Sequence, residues 1–160
     1  RLAENPAWEV WATDLNVPEL EQGARLFDRQ NLHFVYADVM QGELPGQYFD
    51  VIVLAASVQY FSDFAALIKT LRNLLKPGGE IHILDSPFYK NEVERDAARQ
   101  RTAAYYDRVG VPEMATYYHH HIHQDAKAAG AVDLNGHFGA AILRKIKWLP
   151  PFPWYRIRIA

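Results

Sequence analysis

Four apolar runs of strand length divide the first half of the chain. They lie at residues 8–14, 32–38, 49–56 and 80–86. Each run is apolar on successive positions rather than strictly alternating, and each ends in polar residues. Runs of this kind are typical of strands that are covered on both faces, as in a parallel sheet. The pattern therefore predicts four strands of a mostly parallel sheet.

Helical periodicity follows the first of these runs. Pro18 suits the first turn of a helix, and Leu20, Ala24 and Phe27 then recur at spacings of four and three. This spacing predicts a helix over about 18–29 whose apolar stripe faces inward.

A second helix is predicted after the third run, with Asp63 as its N-cap. It ends before the turn KPGG at residues 76–79, and its apolar stripe consists of Phe64, Leu67, Ile68, Leu71 and Leu75. The order strand, helix, strand, strand, helix, strand favours a doubly wound, Rossmann-like α/β fold with right-handed crossovers and three layers.

The second half of the chain has a different pattern. Residues 88–110 carry dense mixed charge and predict a helix with a large solvated face and a thin stripe at Val93, Ala97, Ala104 and Tyr105. Beyond it the pattern predicts, in order, a short helix within 119–130, a weak strand at 131–135, a helix over 138–149 and an antiparallel or edge strand at 154–160.

Composition narrows the possible function classes. The 160 residues suit one globular domain, because 49% are hydrophobic and 22% are charged. Seventeen basic and nineteen acidic side chains give a net charge of −2, so no overall basic field favours a nucleic acid. The absence of cysteine excludes disulfides and thiolate metal sites. Since no apolar run is long enough to span a bilayer and no signal peptide opens the chain, a cytoplasmic protein is predicted.

Two acidic residues mark the ends of the first two predicted strands. In open α/β sheets, ligands bind beyond the carboxyl ends of the strands. Asp14 and Asp38 therefore suit a nucleoside, since one carboxylate accepts from ribose hydroxyls and the other from an exocyclic amine. The competing interpretation is that both acids only begin loops, and spacing alone does not decide between the two.

A family resemblance adds to this pattern. Residues 48–85, YFDVIVLAASVQYFSDFAALIKTLRNLLKPGGEIHILD, resemble the class I S-adenosylmethionine-dependent methyltransferases, especially the small-molecule type. The segments WATDLN and FVYADV match the second and third sequence regions of that family. The resemblance covers residues 14–86 well. It implies a Rossmann-like fold with an antiparallel C-terminal strand, and S-adenosylmethionine as the cofactor.

The resemblance also implies roles for individual residues. Asp14 is expected to bind the ribose hydroxyls of the cofactor, and Leu15 to pack on the adenine. Asp38 is expected to accept from the adenine amine, with the Val39 amide near the ring. The residues expected on the methionine side are Ala55, Ala56, Ser57 and Tyr60.

The family's first region, a central strand followed by a glycine-rich turn, has no match here. The opening RLAENPAW resembles the end of the helix that follows that turn. We therefore expect the natural protein to extend upstream with an apolar strand and a G-x-G-type turn. We also expect two neighbouring strands of this chain to lack a partner, and the chain alone to bind the cofactor poorly.

Residues 88–130 are predicted to form a substrate lid within a single domain spanning 1–160. Candidate groups on the substrate side are His119, His120 and Tyr117 for proton transfer, and Arg95, Arg99 and Arg101 for a substrate carboxylate or phosphate. A helix rich in Arg and Glu is more often only a solvated face. His119 and His123 would share a helical face as metal ligands, but no carboxylate at a convincing spacing accompanies them, so no metal is predicted.

Three functions compete at this point. A methyltransferase acting on a small-molecule or lipid-like acceptor is favoured. A non-catalytic relative with the same fold, binding a partner protein or a nucleoside, is the alternative. A nicotinamide-dependent oxidoreductase is disfavoured by the LKPGG segment and by the position of Asp38. The sequence of the expected upstream glycine turn would distinguish it from a methyltransferase.

Overall fold

The computed structural model describes residues 2–136 and 151–159. The predicted helix over 138–149 lies outside the described residues. The chain forms two compact units, Arg1–Pro45 and Gly46–Ala160. Each unit is built around parallel strand pairing, which confirms the predicted α/β class.

The smaller unit contains one strand–helix–strand motif. Its elements are a 3₁₀ turn at Leu2–Glu4, strand β1 at Val10–Asp14, helix α1 at Val17–Leu26 and strand β2 at Leu32–Tyr36. The two strands are parallel and in register from Val10 opposite Leu32 to Asp14 opposite Tyr36. The Asn16 side chain caps α1 by accepting from the Glu19 amide at 3.3 Å.

The inward stripe predicted for α1 is wrong for two of its three residues. Leu20 is half-buried, whereas Ala24 is exposed and Phe27, which follows the helix, is 57% exposed. Gly23 faces the β2 residue Phe34 so closely that a Cβ at this position would collide with the ring. The inward face therefore runs through Leu20 and Gly23, because a small residue lets the helix approach the strand.

The larger unit contains the remaining described elements. In chain order they are β3 at Phe49–Ala55, a 3₁₀ turn at Val58–Tyr60, α2 at Phe64–Leu74, β4 at Leu75–Leu84, β5 at Phe88–Tyr89, α3 at Glu92–Arg108, a 3₁₀ segment at Pro112–Tyr117, β6 at His121–Ile122, α4 at His123–Ala128, β7 at Val132–Asp133 and β8 at Tyr155–Arg158.

The sheet of the larger unit has the order β3-β4-β8-β7. Strands β3 and β4 are parallel, and β8 is antiparallel to both β4 and β7. The antiparallel direction predicted for the C-terminal strand is confirmed. The strand lies inside the sheet, because the short strand β7 pairs with its other side. Within the described residues, β1 and β3 each pair along one side only.

Helix α2 covers one face of this sheet. Asp63 caps the helix as predicted, accepting from the Ala66 amide at 2.9 Å. Its apolar stripe packs against strand β4. The most deeply buried members of this core are Leu67, Leu71, Ile81, Ile83 and Ile157.

The turn predicted at residues 76–79 is an irregular part of β4. The pairing moves from Phe49 opposite Leu75 to Val51 opposite Glu80, so four residues of β4 face one residue of β3. Gly78 has a φ of +78°, which a residue without a Cβ adopts at little cost.

Within residues 88–130 one prediction is wrong, and the predicted short helix is present with a later start. The thin stripe of α3 does not face inward: Val93 is 79% exposed, Tyr105 is 51% exposed, and Ala97 and Ala104 are exposed as well. The face that is covered contains Ala98, Thr102 and Tyr106 at spacings of four. Helix α4 begins only at His123, because β6 pairs in parallel with β5 and holds His121 and Ile122 in extended backbone.

No helix in the described ranges is both long and apolar enough to cross a membrane. The predicted cytoplasmic location stays a prediction.

Candidate functional site

Asp14 and Asp38 lie beyond the same end of a parallel strand pair. Asp14 closes β1 opposite Tyr36, and Asp38 follows two residues after Tyr36. The Asn16 amide donates to Asp14 Oδ1 at 2.8 Å, and the Met40 amide donates to Asp38 Oδ1 at 2.8 Å. Each carboxylate thus fixes its own turn through one oxygen. In both residues, Oδ2 has no hydrogen-bond partner among the described residues and is available to a ligand.

The neighbours of these two acids differ in exposure. Leu15 is 55% exposed, and Val39 is half-buried. Glu43 holds the turn from the other side, since its carboxylate accepts from the Asp38 amide at 2.8 Å. These contacts orient the turn at Asp38 before any ligand binds.

The carboxyl ends of β3 and β4 carry two residues in the left-handed region. Ala56 and Asp85 both have a φ of +51°. They follow Ala55 and Leu84, which are paired, and the Ala56 amide donates to the Leu84 carbonyl at 3.0 Å. A positive φ is unfavourable for alanine and is often retained at functional sites. The strain therefore lies where the resemblance places the methionine side of the cofactor.

Asp85 was not assigned to the site from the sequence. Its carboxylate is exposed and has no partner among the described residues, and it lies next to Ala56 across the strand pair. The signal that could have found it is its position after a strand, since the sequence shows an acid at the end of the fourth apolar run. Its left-handed backbone could not be predicted from that signal.

The segment after Ala56 is attached to strand β6 and the residues before it. The His119 amide donates to the Gln59 carbonyl at 2.7 Å. His121 lies 3.0 Å from the Phe61 carbonyl and 3.3 Å from the Val58 carbonyl through Nε2, so this nitrogen carries the proton. Burial lowers the pKa of His121, partly offset by these carbonyls. His121 holds the segment 58–61 in place through these contacts.

The three predicted proton-transfer residues do not converge on one point. The described contact of His119 is through its backbone, and Tyr117 is 64% exposed. His120 lies inside, with Nε2 2.9 Å from Thr102 Oγ1, and its buried Nδ1 has no partner in the part of the chain that is described. Two tyrosines lie beside it: the ring centroids of Tyr118 and Tyr89 are 5.2 Å and 5.6 Å from that of His120.

A cavity of about 290 Å³ lies next to His120. Helix α3 contributes five of the seven lining residues, namely Ala98, Arg101, Thr102, Tyr105 and Tyr106. Tyr89 of β5 and Tyr118 complete the lining. The sequence missed this cavity because its tyrosines come from separate segments, and only the β5–β6 pairing brings Tyr89 toward residues 118–122.

Burial controls ionisation around this cavity. It raises the pKa of the Tyr89 and Tyr118 phenols, which are protonated at neutral pH in any case and can act as hydrogen-bond donors. It also lowers the pKa of His120, and the positive charge of Arg99 lowers it further. His120 is therefore neutral at pH 7. The surroundings favour binding through neutral donors rather than through a histidine cation.

The metal interpretation is not supported by the positions of the histidines. His119 and His123 do not share a helix, since α4 begins at His123. Within residues 2–136 and 151–159, no three His, Asp or Glu side chains are grouped as a metal site would require.

Comparison with known proteins connects this geometry to a family. Residues 1–83 match the family described as a methyltransferase domain. An uncharacterized methyltransferase of Mycobacterium tuberculosis is 29% identical over 75 residues, which are 47% of this chain and 38% of that protein. A ubiquinone/menaquinone biosynthesis C-methyltransferase of Burkholderia vietnamiensis is 32% identical over 85 residues, 52% of this chain and 35% of that protein. The chain thus spans just over a third of the length of these relatives.

A solved structure extends the comparison to the fold. The YcgJ protein of Bacillus subtilis superposes with a TM-score of 0.59 at 17% identity, covering 81% of this chain and 56% of that one. At this identity the likeness concerns the fold alone. It confirms the Rossmann-like architecture predicted from the order of strands and helices.

Proposed function

Because the chain belongs to the methyltransferase domain family, whose cofactor is S-adenosylmethionine, we propose that it forms part of a methyltransferase acting on a small-molecule acceptor. The observation that carries the proposal is the pair of carboxylates at one end of the β1–β2 sheet. Both keep an oxygen free of hydrogen bonds within the described residues while their turns are already formed.

Asp14 and Asp38 fit the nucleoside half of the cofactor. In this proposal Asp14 accepts from the ribose hydroxyls and Leu15 packs on the adenine. Asp38 accepts from the adenine amine, and the Val39 amide faces the ring. The support is chemical: a carboxylate oxygen accepts two hydrogen bonds, and an exposed leucine offers apolar surface to a planar base.

Ala55, Ala56, Ser57 and Tyr60 fit the methionine side. Small side chains at the end of β3 leave room for a ligand to approach the backbone, and the left-handed Ala56 turns the chain sharply there. Bound S-adenosylmethionine supplies a methyl group on a positively charged sulfur. The residues of this chain bind and orient the two reactants, and alignment of this kind provides much of the rate enhancement of a transfer reaction.

Substitution of Asp14 by Asn tests the cofactor site in the full-length protein. Asn keeps the oxygen that accepts from the Asn16 amide but loses the charge and the second acceptor. Hydrogen bonds to charged groups contribute about 1.5–3 kcal/mol, so we expect S-adenosylmethionine to bind about 10- to 100-fold more weakly in calorimetry. The matched control is Asp28→Asn, an exposed acid in the same unit, which should leave affinity unchanged. Unchanged affinity of Asp14→Asn would remove Asp14 from the site.

The nature of the acceptor is a separate part of the proposal. The Burkholderia relative is named for carbon methylation in quinone biosynthesis, which makes a quinone-type ring a second candidate acceptor. A nucleic acid is disfavoured by the net charge of −2. The non-catalytic alternative is distinguished by turnover: cofactor binding without formation of S-adenosylhomocysteine, across aromatic, aliphatic and quinone-type acceptors, would favour a binding domain over an enzyme.

A further inference from the structure

We propose that the tyrosine-lined cavity beside α3 holds the methyl acceptor, and that this acceptor is an aromatic carboxylate whose charge is met by Arg101. The assignment rests on the proposed function and names its substrate class. It is carried by three features of the larger unit: the composition of the cavity wall, the unpaired charge of Arg101, and the contact between the wall and the segment that follows β3.

The wall of the cavity suits a planar ring. Four of the seven side chains that line it are tyrosines. The rings of Tyr105 and Tyr106 meet edge to face at 5.3 Å, and the Arg108 guanidinium lies 5.7 Å from the centroid of the Tyr105 ring. Ala98 forms the helix side of the cavity and is 2% exposed, so a small side chain keeps the space open. Aromatic rings bind in such surroundings through stacked and edge-to-face contacts.

The charge on the wall is not neutralised within the described residues. Of the three arginines considered from the sequence, Arg95 pairs with Glu92 at 3.7 Å and Asp96 at 3.2 Å. Arg101 lines the cavity, is exposed, and has no acidic partner in the described part of the chain. A guanidinium pairs with a carboxylate in a bidentate geometry, so an anion on the ligand complements this wall.

Neutral donors surround the same space. The phenols of Tyr89 and Tyr118 carry their protons at neutral pH, as tyrosines ordinarily do, and burial raises their pKa further. Thr102 shares a hydrogen bond with His120 at 2.9 Å, which fixes the hydroxyl on the wall. Donors of this kind add hydrogen bonds to a carboxylate and offer no negative charge that would repel it.

The cavity adjoins the segment expected on the methionine side of the cofactor. Tyr118 lines the cavity, and its ring meets that of Tyr60 edge to face at 6.2 Å. The hydrogen bonds of His119 and His121 to residues 58–61 hold this contact in place. A ring bound against Tyr118 therefore lies next to Tyr60. The volume of about 290 Å³ is at the small end of ligand pockets, which suits an acceptor of one or two rings.

Three probes of matched size test the assignment on the full-length protein without cofactor. They are benzoate, its neutral analogue benzamide and the non-aromatic cyclohexanecarboxylate. We expect benzoate to bind at least tenfold more tightly than benzamide, because a charge-assisted pair is lost in the amide. We expect it to bind several-fold more tightly than cyclohexanecarboxylate, because ring contacts with tyrosine are lost. Dissociation constants come from chemical-shift or calorimetric titration.

Substitutions of cavity residues test whether the probes bind in this cavity. Arg101→Gln should weaken benzoate about tenfold and leave benzamide unchanged, and Arg101→Lys should restore part of the difference. The charge control is Lys69→Gln, an exposed cation on α2 outside the cavity, which should change neither constant. Tyr106→Leu should weaken both aromatic probes. Circular dichroism and thermal unfolding identify variants that fail to fold, and Arg101→Gln, at an exposed position, should retain the wild-type profile.

The outcomes separate this inference from the proposed function. Equal binding of benzoate and benzamide, or no effect of Arg101→Gln, overturns the role of Arg101. Equal binding of benzoate and cyclohexanecarboxylate overturns the aromatic class. S-adenosylmethionine binding with either of these results leaves the proposed function in place. Benzoate preference in a full-length protein that binds no S-adenosylmethionine overturns the proposed function, and with it the description of the ligand as a methyl acceptor.

Discussion

Helices α1 and α2 begin in the same way but differ in what their apolar residues contact. Asn16 and Asp63 each cap the first turn with a side-chain oxygen. Leu67 of α2 is 0% exposed, whereas within the described residues of α1 none is buried and Leu26 is 65% exposed. The comparison shows that capping and periodicity start a helix, while burial depends on the surface available to its apolar face.

The strands of the two units differ in burial as the helices do, with the more deeply buried residues in the larger unit. Among the described residues of Arg1–Pro45, only Ala3 and Ala37 are buried apolar residues. In Gly46–Ala160 strand β4 is paired on both sides, and Ile81 and Ile83 are at most 1% exposed. Strand β1 pairs with β2 alone within the described part of the chain.

Truncating one leucine in each helix should give the largest difference. Leu67→Ala leaves a cavity in a closed core and should lower the free energy of unfolding by about 2–5 kcal/mol. Leu26→Ala changes an exposed side chain and should stay within about 0.5 kcal/mol. Denaturant unfolding of the 160-residue chain measures both. Similar losses for the two variants would contradict the contrast between the units.

Removing each N-cap should give an intermediate effect. Asp63→Ala should lower the free energy of unfolding by about 1 kcal/mol, because the Ala66 amide loses its acceptor in a helix that belongs to the core. Asn16→Ala should have a smaller effect on the same transition, since α1 buries no side chain. Hydrogen exchange of the first-turn amides provides a local measurement. An effect of Asn16→Ala as large as that of Asp63→Ala would contradict the difference in burial between α1 and α2.

Titration of His121 should give the smallest effect. Its folded pKa is lowered by burial, so the unfolded state binds a proton more readily than the folded state. The stability that His121 contributes is present above about pH 6.5 and is lost as the pH falls through the folded pKa. His121→Gln keeps an N–H donor but does not titrate, and should reduce the slope of unfolding free energy against pH. If His121→Gln left the slope below pH 6.5 unchanged, burial of His121 would not contribute to the pH dependence of stability. A slope that is reduced but not abolished is expected, because the pKa of His120 is lowered as well.

Element types were more predictable from the sequence than the faces they bury. The apolar runs predicted all four strands, because continuous β-branched and aromatic segments suit a covered sheet. The stripe at Val93, Ala97, Ala104 and Tyr105 was wrong because α3 is polar on most sides, so weak periodicity could not identify the covered face. The strand at His121–Ile122 was missed because its backbone is held by pairing with Phe88 and Tyr89, far away in the chain.

The candidate site shows the same division. The acids at the ends of β1 and β2 could be predicted because a parallel pair brings both carboxyl ends to one edge. The left-handed backbone at Ala56 and Asp85 could not, because neither residue type marks such a position. Nor could the sequence distinguish Arg101 from Arg95, since pairing with Glu92 and Asp96 depends on where each side chain points.

The sequence by itself determined the order of strands and helices, the N-cap at Asp63 and the two carboxylates at neighbouring strand ends. These are properties of residues close together in the chain, where periodicity and local hydrogen bonding decide the backbone. The tertiary structure alone decided that α2 is buried while α1 is not, that His121 attaches to residues 58–61, and that four tyrosines meet beside Arg101. Burial, ion pairing and cavity shape arise from contacts between distant segments, and no local pattern encodes them.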